Sequence, residues 1–346
     1  MSKIIKVGIC GFGLIGQRRF QCLLKNKKYK ILGVYDKRIK KNYNKDSVNF
    51  YSSFFKLIKL DLDAIYICVT NDVAAQYTIK SLELGLNVFC EKPPAINLIE
   101  LKKVGKVIKK NKLLKLKYGF NHRYHDSVKD TIKIIKSERL GKIINLRGVY
   151  GKSSFEPWKG QGNWRIKRRK SGGGILLDQG IHLVDLMRLF VGGFKEIKSF
   201  VSNDFWKENI EDNAYAIMRS DSGIVAMIHS SATQWEHLFE LNITLEKGYI
   251  YLKGILTGSK SYGKEELISG IKKYRDIDIR VADKNLEKIT KNKRKYTKDV
   301  SWADEVDEFA NCIIYNKPVI NGTYYDALAT MKLVFDIYKS DNKWNK

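Results

Sequence analysis

Cysteines and long apolar runs are scarce in this sequence, and acidic residues are few beside the basic ones. Its five cysteines (Cys10, Cys22, Cys68, Cys90 and Cys312) are odd in number, and none stands in a Cys-x-x-Cys pair. Neither a disulfide framework nor a zinc knuckle is indicated. Cys10, Cys68 and Cys90 fall in strand-like runs and read as small buried hydrophobes. No apolar stretch is long enough to cross a bilayer. The opening "MSKIIKVGICGFG" is basic, but its apolar run breaks at once into glycines, which argues against a signal peptide. Arg18-Arg19 is followed by no apolar segment, as a twin-arginine signal would require. The expectation is a cytoplasmic chain without a membrane partner.

Acids are outnumbered: 37 Asp+Glu stand against 64 Lys+Arg, a formal net charge of +27. Such a balance fits nucleic-acid binding or a lysine-rich surface. The basic residues are spread along the chain among abundant Ile, Asn and Tyr, and no helix-turn-helix or zinc-finger spacing appears. The second reading is therefore preferred, with no nucleic-acid partner. A positive field can still draw in anionic small molecules. The 346 residues, 44% of them hydrophobic, are enough for two domains with sizeable cores.

Ile4 to Cys10 is a short β-branched run that reads as a buried strand. Gly11, Gly13 and Gly16 follow as G-x-G-x-x-G, with Phe12, Leu14 and Ile15 between them, and Leu14, Phe20, Leu23 and Leu24 then recur at helical spacing. This strand–glycine–helix order is the context a dinucleotide-binding turn requires. Gly11 permits the tight turn, Gly13 lets backbone approach a pyrophosphate, and Gly16 lets helix pack on strand. A second strand, "YKILGVYD", ends in Asp36, an acid suited to the ribose hydroxyls of NAD. Lys37 and Arg38 follow it and suit the extra phosphate of NADP. NAD is the expected cofactor, with NADP not excluded.

Strands and helices then alternate: "LDAIYICVT", "DVAAQYTIKSLELG", "LNVFCEK", "NLIELKKVGKVIKKN", "LKLKYGF". The alternation predicts a doubly wound parallel α/β sheet, a Rossmann domain over residues 1–121. Ligands on such sheets bind beyond the carboxyl ends of the strands. Those ends carry Gly11–Gly16, Asp36, Thr70–Asn71, Glu91–Lys92 and Asn121–Arg123. After Asn121 the strand-like runs are joined by hairpin signals such as "SDSG" and "EKG". They predict an α+β domain over 122–346 with a largely antiparallel open sheet.

The stretch "SGGGILLDQGIHLVDLMRLF" (171–190) sets Asp178, His182 and Asp185 in an apolar run. As an α-helix it would place all three on one face. Three readings compete: two ligands of a metal site, a satisfied core histidine, or an acid–base pair in which a carboxylate orients an imidazole. Catalytic zinc generally takes three protein ligands, and no other His or Cys falls in a supporting motif. His122, His125, His229 and His237 likewise stand in no motif.

Taken together, G-x-G-x-x-G, "CEKPPA" and Gly-Gly-Gly…Asp-x-Gly-x-His-x-x-Asp, in that order, resemble the Gfo/Idh/MocA oxidoreductases, named after glucose–fructose oxidoreductase and inositol dehydrogenase. "GFNHRYHDSVKDTIKIIKSERLGKI", "GNWRIKRRKSGGG" and the C-terminal helix pair extend the resemblance over nearly the whole chain. It weakens at Thr70–Ala75 and over residues 254–300. The resemblance implies Lys92, Asp178 and His182 as catalytic residues, with Asp178 orienting His182 and Lys92 on the reacting oxygen. It adds Trp164 and Arg165 to the cofactor contacts Gly11–Gly16, Asp36, Lys37, Thr70, Asn71, Glu91, Lys92 and Asn121. Substrate would meet Lys92, Arg123, Arg165, Asp178 and His182, with no metal.

The implied activity is hydride transfer between nicotinamide and a secondary alcohol or ketone of a sugar, polyol or sugar nucleotide. The rivals are an NAD-dependent glycosidase of the same fold and a non-catalytic dinucleotide sensor. A homodimer or homotetramer is implied, as is a C-terminal helix pair that packs back toward the first domain.

Overall fold

The computed structural model describes residues 3–155, 164–272 and 289–344. The first sheet has seven strands: β1 (Ile5–Cys10), β2 (Tyr29–Tyr35), β3 (Tyr43–Lys45), β4 (Val48–Tyr51), β5 (Ala64–Ile67), β6 (Asn87–Glu91) and β7 (Leu116–Gly119). Their order is β3-β4-β2-β1-β5-β6-β7, and every pairing but β3–β4 is parallel. Helices α1 (Leu14–Lys25), α2 (Asn71–Glu83) and α3 (Leu98–Lys110) form crossovers. Central strands such as β5, "AIYI", are buried along their whole length, as a sheet covered on both faces requires. Strand order reverses on either side of β1, so a crevice opens between the ends of β1 and β5. The short pair β3–β4 lies outside the strand runs the sequence pattern indicates: β3 is exposed throughout, and β4 alternates over only four residues.

The second sheet has eight strands: β8 (Ile143–Gly151), β9 (Phe194–Ser202), β10 (Asn213–Ser220), β11 (Val225–Ser231), β12 (Leu238–Leu245), β13 (Gly248–Lys253), β14 (Glu265–Lys272) and β15 (Ile289–Tyr296). The order is β15-β14-β13-β12-β8-β11-β10-β9, antiparallel except for β8 with β11. The last two strands come from the region of weakest resemblance and extend the sheet at its edge. In β10 the period-2 pattern is plain: Ala214, Ala216, Met218 and Ser220 are buried, while Tyr215 and Ile217 face outward.

Helix α4 (Asp126–Lys136) leads from the first sheet to β8, and α5 (Ile181–Val191) lies against the second sheet. The turn before α5 departs from the expected α-helix: Leu176–Gly180 is a π turn. Such turns widen the helix by one residue and are frequent at functional sites.

The helices α6 (Ser301–Ile314) and α7 (Tyr324–Ser340) separate in their packing. Val306, Phe309 and Ala310 of α6 join the buried cluster of Ile5, Val7, Ile9, Tyr66 and Phe89, so α6 packs on the first sheet. Helix α7 lies mainly on β9 and α5. No described helix is long and apolar enough to cross a membrane.

Between α1 and α6, Arg19 is fully buried and pairs with Glu91 at 2.6 Å and Glu305 at 2.5 Å. Removing one partner of a buried ion pair typically costs about 3–5 kcal/mol, because the remaining charge is left uncompensated. Arg19→Met should therefore lower unfolding free energy by roughly that amount in urea titration. A loss within experimental scatter would show that the pair does not hold α6 to the first sheet.

Candidate active site

A cavity of about 910 Å³ runs along the carboxyl edge of the first sheet. Its floor begins at the glycine turn. Gly11 has φ of +96°, and a Cβ there would meet the Cys68 carbonyl oxygen at 2.4 Å. A Cβ on Gly16 would meet the Gly11 carbonyl oxygen at 2.0 Å, so Gly16 is fixed by packing and does not line the cavity. A Cβ on Gly13, by contrast, would meet nothing within 4 Å. Leu14 and Ile15 open helix α1 at the cavity wall. Phe12 turns away, packing edge-on to Phe20 and Phe50, and only its backbone serves the site. Its N–H donates to Asp36 Oδ2 at 2.6 Å.

Asp36 also accepts from the Arg38 N–H at 2.9 Å and from Arg38 Nε at 2.8 Å. Burial opposes ionisation of Asp36, but Arg38 and the two backbone donors prevail and hold its carboxyl below the usual value. Lys37 lies beside it in the lining. At the end of β5, Thr70 Oγ1 donates to Asp72 Oδ1 at 2.5 Å, and buried Asn71 donates to the Ser171 carbonyl at 2.7 Å.

Lys92 follows β6, with a cis peptide to Pro93. Its Nζ donates to the Asp178 carbonyl at 2.5 Å and lies 3.9 Å from Asp178 Oδ1. Burial lowers the Lys92 ammonium below its usual value, Asp178 opposes this, and Arg165 adds to it. Glu91, one residue earlier, is held by Arg19, so its carboxylate is engaged by protein even where it borders the cavity.

The facing wall is the π turn and the start of α5. The buried carboxylate of Glu211 accepts from Gly174 N–H at 2.7 Å, Leu176 N–H at 3.0 Å and the Tyr338 hydroxyl at 2.6 Å. It thereby satisfies donors that a helix start leaves open. The glycines before the turn pack against protein instead of bordering the cavity. A Cβ on Gly172 would meet Ile96 backbone at 2.5 Å, and one on Gly174 the Glu211 carbonyl oxygen at 2.1 Å. Gly180 makes room for Ser230 of β11.

Asp178 sits in the turn with its Oδ1 3.6 Å from Arg165 Nε, and Arg165 also stacks on Trp164 at 4.4 Å. Burial works against the Asp178 charge, yet Lys92, Arg165 and Lys152 outweigh it and hold the carboxyl down to about 2. The expectation that Asp178 orients His182 is not met. Among the described residues His182 Nδ1 is buried with no hydrogen-bond partner. Its ring instead stacks on His122, with centroids 3.8 Å apart and planes at 11°. Burial, then the Lys92 charge, pushes the His182 pKa well below 6.5.

Arg123 is a second correction. It donates to Asp185 through Nε and Nη2, both at 2.7 Å, and to Asp326 at 3.1 Å. With its side chain 3% exposed, it does not border the cavity. Two acids consume the guanidinium fork, which makes Arg123 the anchor of α5 instead of a substrate contact. It also gives Asp185 a partner. Asn121 does border the cavity, beside His122, Tyr150 and Trp302. Those last three stand in no motif, and only the three-dimensional packing brings them to the site. Among the described residues no three His, Cys, Asp or Glu side chains are grouped to hold a metal ion.

The donor set fits a dinucleotide. The vacant space over Gly13, the opening N–H groups of α1 and the Asp36 carboxylate are what a pyrophosphate and a ribose would need. Gly13 has an unstrained φ of −70°, so Gly13→Val should fold with unchanged thermal stability. The same variant should weaken NADH binding about tenfold or more, read by tryptophan fluorescence. Unchanged affinity would remove the glycine turn from the binding site.

Residues 5–120 match the oxidoreductase family with an NAD-binding Rossmann fold, and residues 128–251 match the GFO/IDH/MocA C-terminal domain. The 1,5-anhydro-D-fructose reductase of Ensifer adhaerens is 29% identical over 182 residues, which are 50% of this chain and 51% of that relative. The chain thus spans about half the length of that curated relative. The fold is shared with myo-inositol 2-dehydrogenase of Lactobacillus plantarum, at 22% identity and a TM-score of 0.77, covering 99% of this chain and 98% of that one. It is shared also with a levoglucosan dehydrogenase solved in complex with NADH, at 17% identity and a TM-score of 0.79, over 99% and 98% of the two chains. With both halves of the chain matched in order, the protein belongs to the Gfo/Idh/MocA oxidoreductase family.

Proposed function

We propose that this protein is an NAD(P)-dependent oxidoreductase acting on a secondary alcohol, or the matching ketone, of a sugar, polyol or sugar nucleotide. The observation that carries the reading is the convergence of Lys92, Asp178 and His182 on the cavity that the glycine turn and Asp36 also line. A nicotinamide dinucleotide, when bound, supplies the hydride acceptor or donor. The chain's own residues manage the proton and the charge. His182, kept neutral by burial, can take the hydroxyl proton on oxidation and return it on reduction. Lys92 can hydrogen-bond the reacting oxygen and stabilise negative charge developing there. Asp178 stays ionised and offsets the charges of Lys92 and Arg165. Asp36 supports NAD as the cofactor, and Arg38, already folded against it, supports tolerance of NADP.

The proposed homo-oligomer has support on the outer face of the second sheet. Phe200 pairs across to Tyr215, and Ile217 to Met227; the first three are 79%, 48% and 57% exposed. Contiguous apolar surface of this kind marks interaction sites. Ile217→Lys with Phe200→Glu should reduce the mass in light scattering to that of one chain. An unchanged assembly would place the contact elsewhere.

A panel of sugars, polyols and sugar nucleotides, followed by absorbance of reduced nicotinamide, tests the activity. With a substrate in hand, His182→Asn and Lys92→Met should each lower kcat by about 10²–10⁴-fold. Wild-type turnover in both would refute the assignment. The pH profile has a stated sign. His182 is shifted down, so the acid limb of oxidation should lie below pH 6.5. Lys92 is shifted down too, so the alkaline limb should lie below 10.5.

A further inference from the structure

His182 has no hydrogen bond to fix its ring among the described residues, since Nδ1 is buried and unpartnered and Asp178 faces Lys92, Arg165 and Gln179 instead. What lies against it is the flat face of His122 at 3.8 Å. Phe120 touches it only edge-on, at 6.3 Å.

The neighbours of His122 set which of its ring nitrogens carries a proton. Ser301 Oγ lies 2.5 Å from Asp299 Oδ1, a carboxylate that only accepts, so the hydroxyl proton points to Asp299. Arg18 pairs with the same carboxylate at 2.9 Å. Ser301 Oγ is then free to accept from Asn121 Nδ2 at 3.1 Å. That fixes the amide, whose oxygen faces His122 Nδ1 at 3.3 Å, so Nδ1 carries a proton. Burial, with the nearby Lys92 charge, holds the His122 pKa well below 6.5, so the ring is neutral. With its proton on Nδ1, Nε2 accepts from the Tyr150 hydroxyl at 3.0 Å.

We propose that His122 is a positioning residue for His182: a neutral imidazole, locked as its Nδ1–H tautomer through Asn121, Ser301 and Asp299, that serves as the stacking platform for the His182 ring. The proposal rests on His182 being the proton carrier. An aromatic face attracts a cation, so a neutral His122 favours the imidazolium that His182 becomes on taking a proton. A charged His122 at the same distance would repel it. The other charged or titratable groups facing the pair are Lys92 on the cavity side, Tyr150, and His125, which is 5.5 Å from His122 and paired with Glu265 at 2.7 Å. Lys92 already opposes charge on His182, which makes the neutrality of the nearest ring count.

Ring nitrogen-15 NMR on the full chain, labelled at its five histidines and assigned by single substitutions, reads the lock without any turnover. His122 should show the neutral Nδ1–H pattern from about pH 6 to 8. Ser301→Ala, with its fold checked by circular dichroism, should turn that pattern into a mixture of tautomers. A cationic His122, an Nε2–H tautomer, or a pattern indifferent to Ser301→Ala overturns the lock.

The kinetic arm uses the sugar of the panel that wild type oxidises fastest. His122→Leu should lower kcat about tenfold with KM within about twofold, and His122→Phe, flat but without a proton, should restore kcat to within about threefold. Wild-type kcat in His122→Leu overturns the positioning role. Should that variant fail to fold, Ser301→Ala carries the kinetic arm with the same expected direction. If wild type oxidises no sugar, the proposed activity fails while the NMR result still decides the lock.

Discussion

Arg19 lies fully buried between Glu91 and Glu305, its guanidinium covered by the rings of Trp302 at 4.2 Å and Phe89 at 4.4 Å. A cation is tolerated there only because acids and aromatic faces replace its water. Each partner leads to a different part of the site. Arg19 stands on the helix that opens at the glycine turn. Glu91 directly precedes Lys92. Glu305 is on α6, whose first turn supplies Ser301 and Trp302. One charge therefore holds three elements in register. Two acids against one base leave a surplus of negative charge. Burial accordingly pushes the Glu305 carboxyl up to about 7, while Arg19 and Lys117 oppose the rise.

The opposite wall uses the same device twice. Glu211 takes up the N–H groups that open the π turn, and Arg123 binds Asp185 one helical turn beyond His182. The segment with Asp178 and His182 is thus anchored at both ends by buried charge that does not border the cavity. In a turn one residue wider than an α-helix, the Asp178 carbonyl is presented to Lys92, so the two walls meet through backbone as well as side chain. Small shifts of either anchor would move the groups that face each other across the cavity.

Much of this was legible in the sequence. The parallel sheet follows from alternating runs, and the open antiparallel sheet from period-2 patterns with hairpin turns. Lys92, Asp178 and His182, which line one cavity, are legible as candidates because each stands in a motif of fixed spacing. Arg123 was misread because an arginine at a strand end looks the same whether it meets a substrate or two acids 62 and 203 residues away. Glu211 and His122 were missed for the same reason. Glu211 finds Gly174, Leu176 and Tyr338, and His122 finds Tyr150 and His182, all far along the chain, and nothing local distinguishes a buried acid or imidazole from an exposed one. The π turn was hidden as well, since "ILLDQGIHLVDLMRLF" has the apolar spacing of an ordinary helix.

The division of labour proposed for Asp178 and His182 has a physical reason. A carboxylate bonded to His182 would favour its charged form and raise its pKa toward or above neutrality. The ring would then be an imidazolium at rest, unable to take a hydroxyl proton. The fold instead commits Asp178 to Lys92 and Arg165, where its charge lowers the cost of burying two cations. His182 is left among groups that carry no negative charge toward it: the Lys92 ammonium, the edge of Phe120 and the face of His122. The same carboxylate that keeps Lys92 available as a cation thus leaves the imidazole uncharged. The proposed acid and base of the site are held apart in protonation state by where one aspartate points.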